Sequence, residues 1–183
     1  MGTGSVAFAV KDGDAHRIGG LGYLFDNGGN GYSLGRDAIR AAICAEDGSG
    51  EETLLRRAVR EKVGTETVLD ALTDFYALGK RKIAEYASLV FEAAKKEDRV
   101  AEKILCRNMK EIATLIETGK RRLGTKKTKV VFVGGLTAEW EVLRPLIQKH
   151  LGDGDGTVLT VYRDSPVFGA VALARQLTEE ADA

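Results

Sequence analysis

The chain has 183 residues, 44% hydrophobic and 30% charged, which allows one domain that buries its core without disulfides or a structural metal. Its 27 basic residues balance 27 acidic ones, so no net field attracts nucleic acid or an anionic membrane surface. Because no apolar window is long enough to span a membrane and residues 1–10 lack a signal-peptide pattern, we expect a cytoplasmic protein without nucleic-acid or membrane partners.

The first predicted element is a glycine-containing turn that leads into a β-hairpin. The apolar run 6–10 predicts a strand, Asp12-Gly13 is a two-residue hairpin signal, and the return strand is expected at about Ala15–Ile18. The turn ahead of the first strand is either an ordinary hairpin turn or an anion cradle, in which bare backbone N–H groups and a hydroxyl approach phosphate oxygens. Its residues are Gly2, Thr3, Gly4 and Ser5.

The segment 19–35 is too rich in glycine for regular structure, and a helix is predicted from about Gly35 to Ala45. The segment is either a substrate loop, in which Asp26 and Asn27 offer hydrogen bonds, or a long surface loop with Asx turns. Its acidic spacing does not fit an EF-hand calcium loop.

Helical periodicity dominates residues 36–124. One helix is expected to end near Gly64, another to include Val68 to Phe75, and a third to cover 80–95. Asp98 is the predicted N-cap of a longer helix. The apolar stripe of that helix consists of Ala101, Ile104, Leu105, Met109, Ile112, Ala113 and Ile116.

The tail, 125–183, changes to a strand–helix–strand–helix pattern, which is typical of parallel α/β topology. Strands are predicted at 129–133 and 157–162, and helices at 138–150 and 167–177, with a loop at 152–156. Gly134 and Gly135 follow the carboxyl end of the first of these strands, where α/β sheets bind ligands. A tight strand-to-helix turn is the other interpretation.

The remaining chemistry-bearing residues favour structural roles. Trp140 is expected to pack at the start of its helix. Cys44 and Cys106 have no metal-ligand spacing and are expected to be small reduced core residues. Neither His16 nor His150 has a nearby cysteine or second histidine in the sequence, so no metal site is predicted.

The order of these segments resembles the N-acetylglucosamine kinase-like BadF/BadG/BcrA/BcrD ATPase family of the actin/hexokinase/Hsp70 superfamily. The resemblance extends over nearly the whole chain, and it is carried by GTGSVAFAV, GGLGYLFDNGGNGYSLGRDAIRAA, IAEYASLVFEAAKKEDRVAEKIL, VVFVGGLTAEW and SPVFGAVALA. It implies an α/β fold: the C-terminal lobe of a ribonuclease H-like, actin-like ATPase with a helical insertion. Within that single lobe, 1–35 would form the phosphate hairpin and substrate loop, 36–124 the helical part, and 125–183 the adenosine-binding tail.

The same resemblance implies roles for individual residues. An ATP phosphate-binding loop would be formed by Gly2, Thr3, Gly4 and Ser5. Adenosine would pack against Gly134, Gly135 and Leu136. A sugar or other small acceptor would be held by Gly20, Leu21, Gly22, Asp26 and Asn27. ATP or ADP is the implied nucleotide, with Mg²⁺ organised mainly outside these residues.

Two departures from the family pattern bear on function. Leu21 stands where the family often has tryptophan, and Asn27-Gly28 aligns with an Asp-Glu pair, so an acceptor other than N-acetylglucosamine is open. The family's first phosphate loop, its catalytic aspartate and the strand that leads into the second phosphate loop have no counterpart in the 183 residues. We therefore expect a mixed sheet without its first strand and an ATP-binding lobe inactive without an N-terminal lobe. The alternative is a non-catalytic subunit or remnant that acts as an oligomerising or interaction module.

Overall fold

A computed structural model of the chain describes residues 1–152 and 156–181, in which eight α-helices accompany four short strands. The strands are β1 (Val6–Lys11), β2 (Asp14–Gly19), β3 (Thr128–Phe132) and β4 (Thr157–Val161). The helices are α1 (Gly31–Glu46), α2 (Leu54–Val63), α3 (Leu72–Ala77), α4 (Lys80–Ala84), α5 (Ala87–Ala94), α6 (Arg99–Leu123), α7 (Trp140–Leu151) and α8 (Pro166–Ala181). Short 3₁₀ helices, Leu69–Ala71 and Gly135–Glu139, precede α3 and α7. Most of the predicted loop 152–156 lies outside the described residues.

The four strands form two separate pairs. β1 and β2 are antiparallel, and the predicted turn between them is confirmed, since Asp12 and Gly13 both have positive φ angles of 51° and 90°. β3 and β4 are parallel, with Thr128 opposite Thr157. Within the described residues no strand joins the two pairs, so the mixed sheet that we predicted is present as two halves.

Helix α6 is the centre of the main core. All seven residues of its predicted apolar stripe are buried, and each such side chain contributes about 1.5–3 kcal/mol when it is large and fully buried. Asp98 is the N-cap as predicted, because its carboxylate accepts the Ala101 N–H at 2.9 Å. The helix ends where Gly124 adopts a left-handed conformation. One face of α6 contacts β1 and β2, and other faces contact α1, α5 and α7.

The predicted helix at 80–95 is divided into α4 and α5 around Tyr86. The ring of Tyr86 is buried in a second core cluster, where it meets Phe75 edge-on at 5.9 Å. The α4 backbone also approaches α1 so closely that a Cβ atom on Gly35 would collide with the carbonyl of Ile83. This backbone contact places α4 directly against the first turns of α1.

Two further predictions have clear outcomes. Trp140 is buried against Phe132, with ring centroids 4.9 Å apart, as expected of a packing residue. The prediction that His150 has no cysteine neighbour is wrong, since its Nε2 lies 3.3 Å from Cys106 Sγ and 3.0 Å from the Cys106 carbonyl oxygen. Packing of α7 on α6 brings together two residues that are 44 positions apart.

No helix among the described residues is long and apolar enough to cross a membrane.

Candidate functional site

The two glycine turns, one at each end of the sequence, meet in space. The Met1 backbone nitrogen donates to the Val133 carbonyl, and the Leu136 N–H donates to the Met1 carbonyl at 3.2 Å. Met1 therefore lies alongside the carboxyl end of β3, immediately ahead of the turn at Gly2–Ser5. The convergence on which the predicted site depends is present.

Gly134 makes this contact possible. Its φ angle of 110° lies in a region that favours glycine, and a Cβ atom there would come within 2.5 Å of the Met1 carbonyl oxygen. Glycine at 134 thus joins a required backbone conformation to a close approach of two chain segments. By contrast, a Cβ atom at Gly135 would meet no atom within 4 Å.

Helix α1 fixes the orientation of the first turn. The N–H groups of Gly31 and Tyr32 donate to the carbonyls of Gly2 and Thr3, at 2.7 and 3.0 Å. In a trans peptide the C=O and the following N–H point in opposite directions. The N–H groups of Thr3 and Gly4 therefore point away from α1, and within the described residues neither is hydrogen-bonded.

The space in front of these amides is open. A Cβ atom placed on Gly2 or Gly4 would meet nothing within 4 Å, and neither glycine has a positive φ angle. The packing of the chain therefore does not require glycine at these positions, whereas a ligand that approaches the backbone closely does. The Thr3 hydroxyl also has no hydrogen-bond partner among the described residues, so it remains available to the same ligand.

Helix α1 begins four residues earlier than predicted, and this places its N-terminus at the turn. Asn30 accepts the Ser33 N–H at 2.9 Å, while Ser33 Oγ accepts the Asn30 N–H at 3.1 Å. This capping box starts the helix inside the glycine-rich segment. Ser5 Oγ adds a bond of 3.3 Å to the Gly28 carbonyl, which ties the turn to the end of the predicted substrate loop.

The predicted substrate loop closes on itself through Asp26. The Asp26 carboxylate accepts the N–H groups of Leu21 and Gly22, at 2.9 and 3.2 Å, and Arg17 donates to the Gly20 carbonyl. Asp26 therefore serves the loop backbone in this structure. The exposed side chain of Asn27 makes no hydrogen bond among the described residues, so it is the polar group of this loop that is available to a ligand.

The loop also presents aromatic side chains that we did not predict as site residues. Phe25 is 73% exposed, and Tyr23 is half exposed with its ring 5.1 Å from that of Tyr32. An aromatic face was sought only at Leu21, where the family pattern places tryptophan. The motif YLF at 23–25 was the signal that could have identified them, since exposed aromatic rings beside hydrogen-bonding groups are typical of ligand sites.

A buried amide, also missed in the sequence, supports the site from below. Asn108 Oδ1 accepts the Gly29 N–H at 3.0 Å and the Ser33 hydroxyl at 2.5 Å. Its Nδ2 donates to the Asp37 carboxylate at 3.1 Å and to the Ile104 carbonyl. One side chain of α6 thus holds both the end of the substrate loop and the first turn of α1.

The other parts of the site are apolar or neutral. Leu136 is half-buried against the main core beside Met1, and Thr137 Oγ1 donates to the Gly134 carbonyl at 2.8 Å. Across residues 1–152 and 156–181, no group of three or more His, Cys, Asp or Glu side chains is placed to hold a metal ion. The site therefore offers backbone amides, hydroxyls and one free amide rather than a metal centre.

This arrangement coincides with a family assignment. The profile of the BadF/BadG/BcrA/BcrD ATPase family matches residues 1–174, which is nearly the whole chain. The chain belongs to this family. The resemblance inferred from the ordered glycine segments is thereby confirmed.

Relatives in the BadF/BadG/BcrA/BcrD family include two curated kinases. The chain is 29% identical over 180 residues to an N-acetylmuramic acid/N-acetylglucosamine kinase of Clostridium acetobutylicum, covering 95% of this chain and 59% of the relative. It is 28% identical over 182 residues to an N-acetyl-D-glucosamine kinase of Dictyostelium discoideum, covering 94% of this chain and 57% of the relative. The chain thus spans a little over half the length of these relatives.

A solved structure supports the fold. The crystal structure of a putative N-acetylglucosamine kinase from Chromobacterium violaceum superposes with a TM-score of 0.68 at 24% identity, covering 87% of this chain and 53% of that one. At this identity the likeness supports the fold alone. It agrees with a mixed α/β architecture of short strands and many helices.

Proposed function

We propose that this chain is the ATP-binding half of a sugar-kinase-like phosphotransferase with an actin-like, ribonuclease H-like fold. The observation that carries the proposal is the orientation of the Thr3 and Gly4 N–H groups, which α1 turns toward open space beside the Gly134 turn. Two adjacent amides aimed at one point form a concave anion site. A nucleotide whose phosphates lie on the first turn has the second turn within reach for its nucleoside.

In this proposal the phosphates of ATP or ADP bind at Gly2–Ser5, with the Thr3 hydroxyl as a further donor. The nucleoside packs over Gly134, Gly135 and Leu136, where the absence of a side chain at Gly135 leaves room for a flat ring. Mg²⁺ would accompany the phosphates and neutralise their charge, and no described side chain is assigned to it.

The acceptor would lie on the loop 20–27. The names of the two kinase relatives point to an N-acetylated amino sugar. Asn27 would hydrogen-bond a sugar hydroxyl, and Phe25 or Tyr23 would supply the apolar face that Leu21 cannot provide as an aromatic ring. Asp26 would keep Leu21 and Gly22 in place through their backbone N–H groups, so we propose it as a positioning residue rather than a sugar ligand.

The chemistry would be transfer of the terminal phosphoryl group to a sugar hydroxyl. Such transfer depends on positioning and on neutralisation of phosphate charge. The residues of this chain would bind and orient the nucleotide and one face of the sugar. We assign no catalytic base to them, so phosphoryl transfer would require groups outside residues 1–183.

The test is titration calorimetry with MgADP on the chain and on Gly4→Val. Because Gly4 has open space and no positive φ angle, valine should leave the melting temperature unchanged while it fills the space in front of the amides. We expect affinity to fall at least tenfold. The control is Gly79→Ser, which also has open space but lies at the start of α4, and it should bind like the unaltered chain. Equal MgADP affinity in all three proteins, or none in any, would refute the proposal.

A role as a non-catalytic interaction module stays as the second candidate. The feature that favours it is a groove between the two strand pairs, described below. The two functions use different surfaces, so measured MgADP affinity decides for or against the first without deciding the second.

A further inference from the structure

A groove of about 580 Å³ separates β1 from β3. Its floor is the face of α6 that carries Ile112, Leu115, Ile116 and Gly119. Its two walls are the strands themselves, over 6–10 and 128–133. Unlike a surface cleft between loops, this groove is bordered along its length by extended backbone.

Both walls present a strand edge. In the described part of the chain, β1 pairs only with β2 and β3 pairs only with β4. Each strand therefore turns its other edge, with its backbone N–H and C=O groups, toward the groove. Such edges are templates for a further strand.

The relative direction of the walls specifies how a strand would enter. At one end Met1, just ahead of β1, bonds to Val133, just after β3. At the other end Lys11 Nζ donates to the Leu123 carbonyl ahead of β3, at 3.4 Å. β1 and β3 are thus antiparallel to each other across the groove. A strand parallel to β3 is automatically antiparallel to β1, and it can pair with both.

Met1 already occupies the last place of such a strand. Its backbone bonds to the Val133 carbonyl and the Leu136 N–H lie on either side of one residue, as in a parallel pair next to β3. The position and direction of the missing pairing are therefore set by residues of the chain itself.

The side chains around the groove are apolar on both faces. Ile112 and Ile116 line the inner face, whereas Val6, Phe8 and Val131 stand exposed on the outer face, with Phe8 at 62%. A strand buried between two neighbours on a covered sheet is apolar on both faces. The occupant must match this composition.

We propose that the groove receives an extended apolar segment of about six residues, supplied by polypeptide outside residues 1–183, whose carboxyl end adjoins Met1. The segment forms a strand parallel to β3 and antiparallel to β1 and unites the two strand pairs in one five-stranded sheet. This inference depends on the fold and not on nucleotide binding.

The test joins the segment Thr-Val-Val-Val-Thr-Val directly ahead of Met1 in the full chain. We expect backbone amide exchange in β1 and β3 to slow at least tenfold and the melting temperature to rise. In a first control, prolines replace the second and fourth residues of the segment and remove N–H donors. In a second control, the unbroken segment follows residue 183. Neither control should protect β1 or β3.

Two results would overturn the proposal. One is unchanged exchange in β1 and β3 when the unbroken segment precedes Met1. The other is an unmodified chain that sediments as a dimer with these same amides already protected, because a second copy would then fill the groove.

Discussion

Replacement of Gly134 by alanine tests the contact between the two glycine turns. A non-glycine residue at a φ angle of 110° costs about 1–3 kcal/mol of strain. The new Cβ atom would also lie 2.5 Å from the Met1 carbonyl oxygen and 2.9 Å from its carbon, so Met1 must move. Loss of its hydrogen bond with the Leu136 N–H adds about 0.5–1.5 kcal/mol. We expect a total destabilisation of about 2–4 kcal/mol, which lowers the melting temperature by roughly 5–15 °C.

The adjacent Gly135→Ala is the matched control. A Cβ atom at 135 meets nothing within 4 Å, and the residue lies in a 3₁₀ helix without a positive φ angle. Its free energy of unfolding, measured by urea denaturation, should stay within about 0.5 kcal/mol of the unaltered chain. If Gly134→Ala is as stable as Gly135→Ala, Met1 does not pack against Gly134 and the convergence of the turns is wrong. MgADP affinity separates the variants again, because Gly135→Ala should weaken binding without loss of stability.

Two further predictions concern the surroundings of the site. Asn108→Ala removes the acceptor of a buried backbone N–H and a buried hydroxyl, so it should destabilise the chain by about 2–4 kcal/mol in urea denaturation, whereas Lys110→Ala on the exposed face of α6 should change little; equal stability of both would contradict the bridging role of Asn108. Burial raises the pKa of Tyr86 above its ordinary value, so the folded state holds this proton more tightly and loses stability as the pH rises from about 9 to 11. Tyr86→Phe should flatten that loss in denaturation curves measured across this range, and identical curves would show that Tyr86 does not contribute.

The parts of the fold that were predictable from sequence are those fixed by local signals. Asp98 ahead of an apolar stripe and Gly124 after it define α6, and Asp12-Gly13 defines the hairpin, because caps and turns depend on neighbouring residues. The start of α1 was missed although its capping box is also local. Asn30 and Ser33 lie among glycines, and the composition of that segment outweighed the four-residue motif.

Long-range contacts account for what the sequence could not predict. Asn108 belongs to a helix stripe that reads as core, and only the packing of α6 beside α1 shows its amide at the loop. Cys106 and His150 likewise meet only because α7 packs on α6. Asp26 was predicted to contact a ligand, but whether its carboxylate faces outward depends on how the loop folds back on Leu21 and Gly22. A chain segment's own backbone competes with ligands for such groups.

Helix α1 is held at both of its ends, and this has a mechanical consequence. Its first N–H groups hold the Gly2 and Thr3 carbonyls, while Glu46 in its last turn accepts the N–H groups of Val68 and Leu69. The helix is a rod of about 24 Å between these anchors. A tilt that re-aims the turn must therefore also shift the short helices that follow α2, so the two regions are mechanically linked although no ligand would touch both.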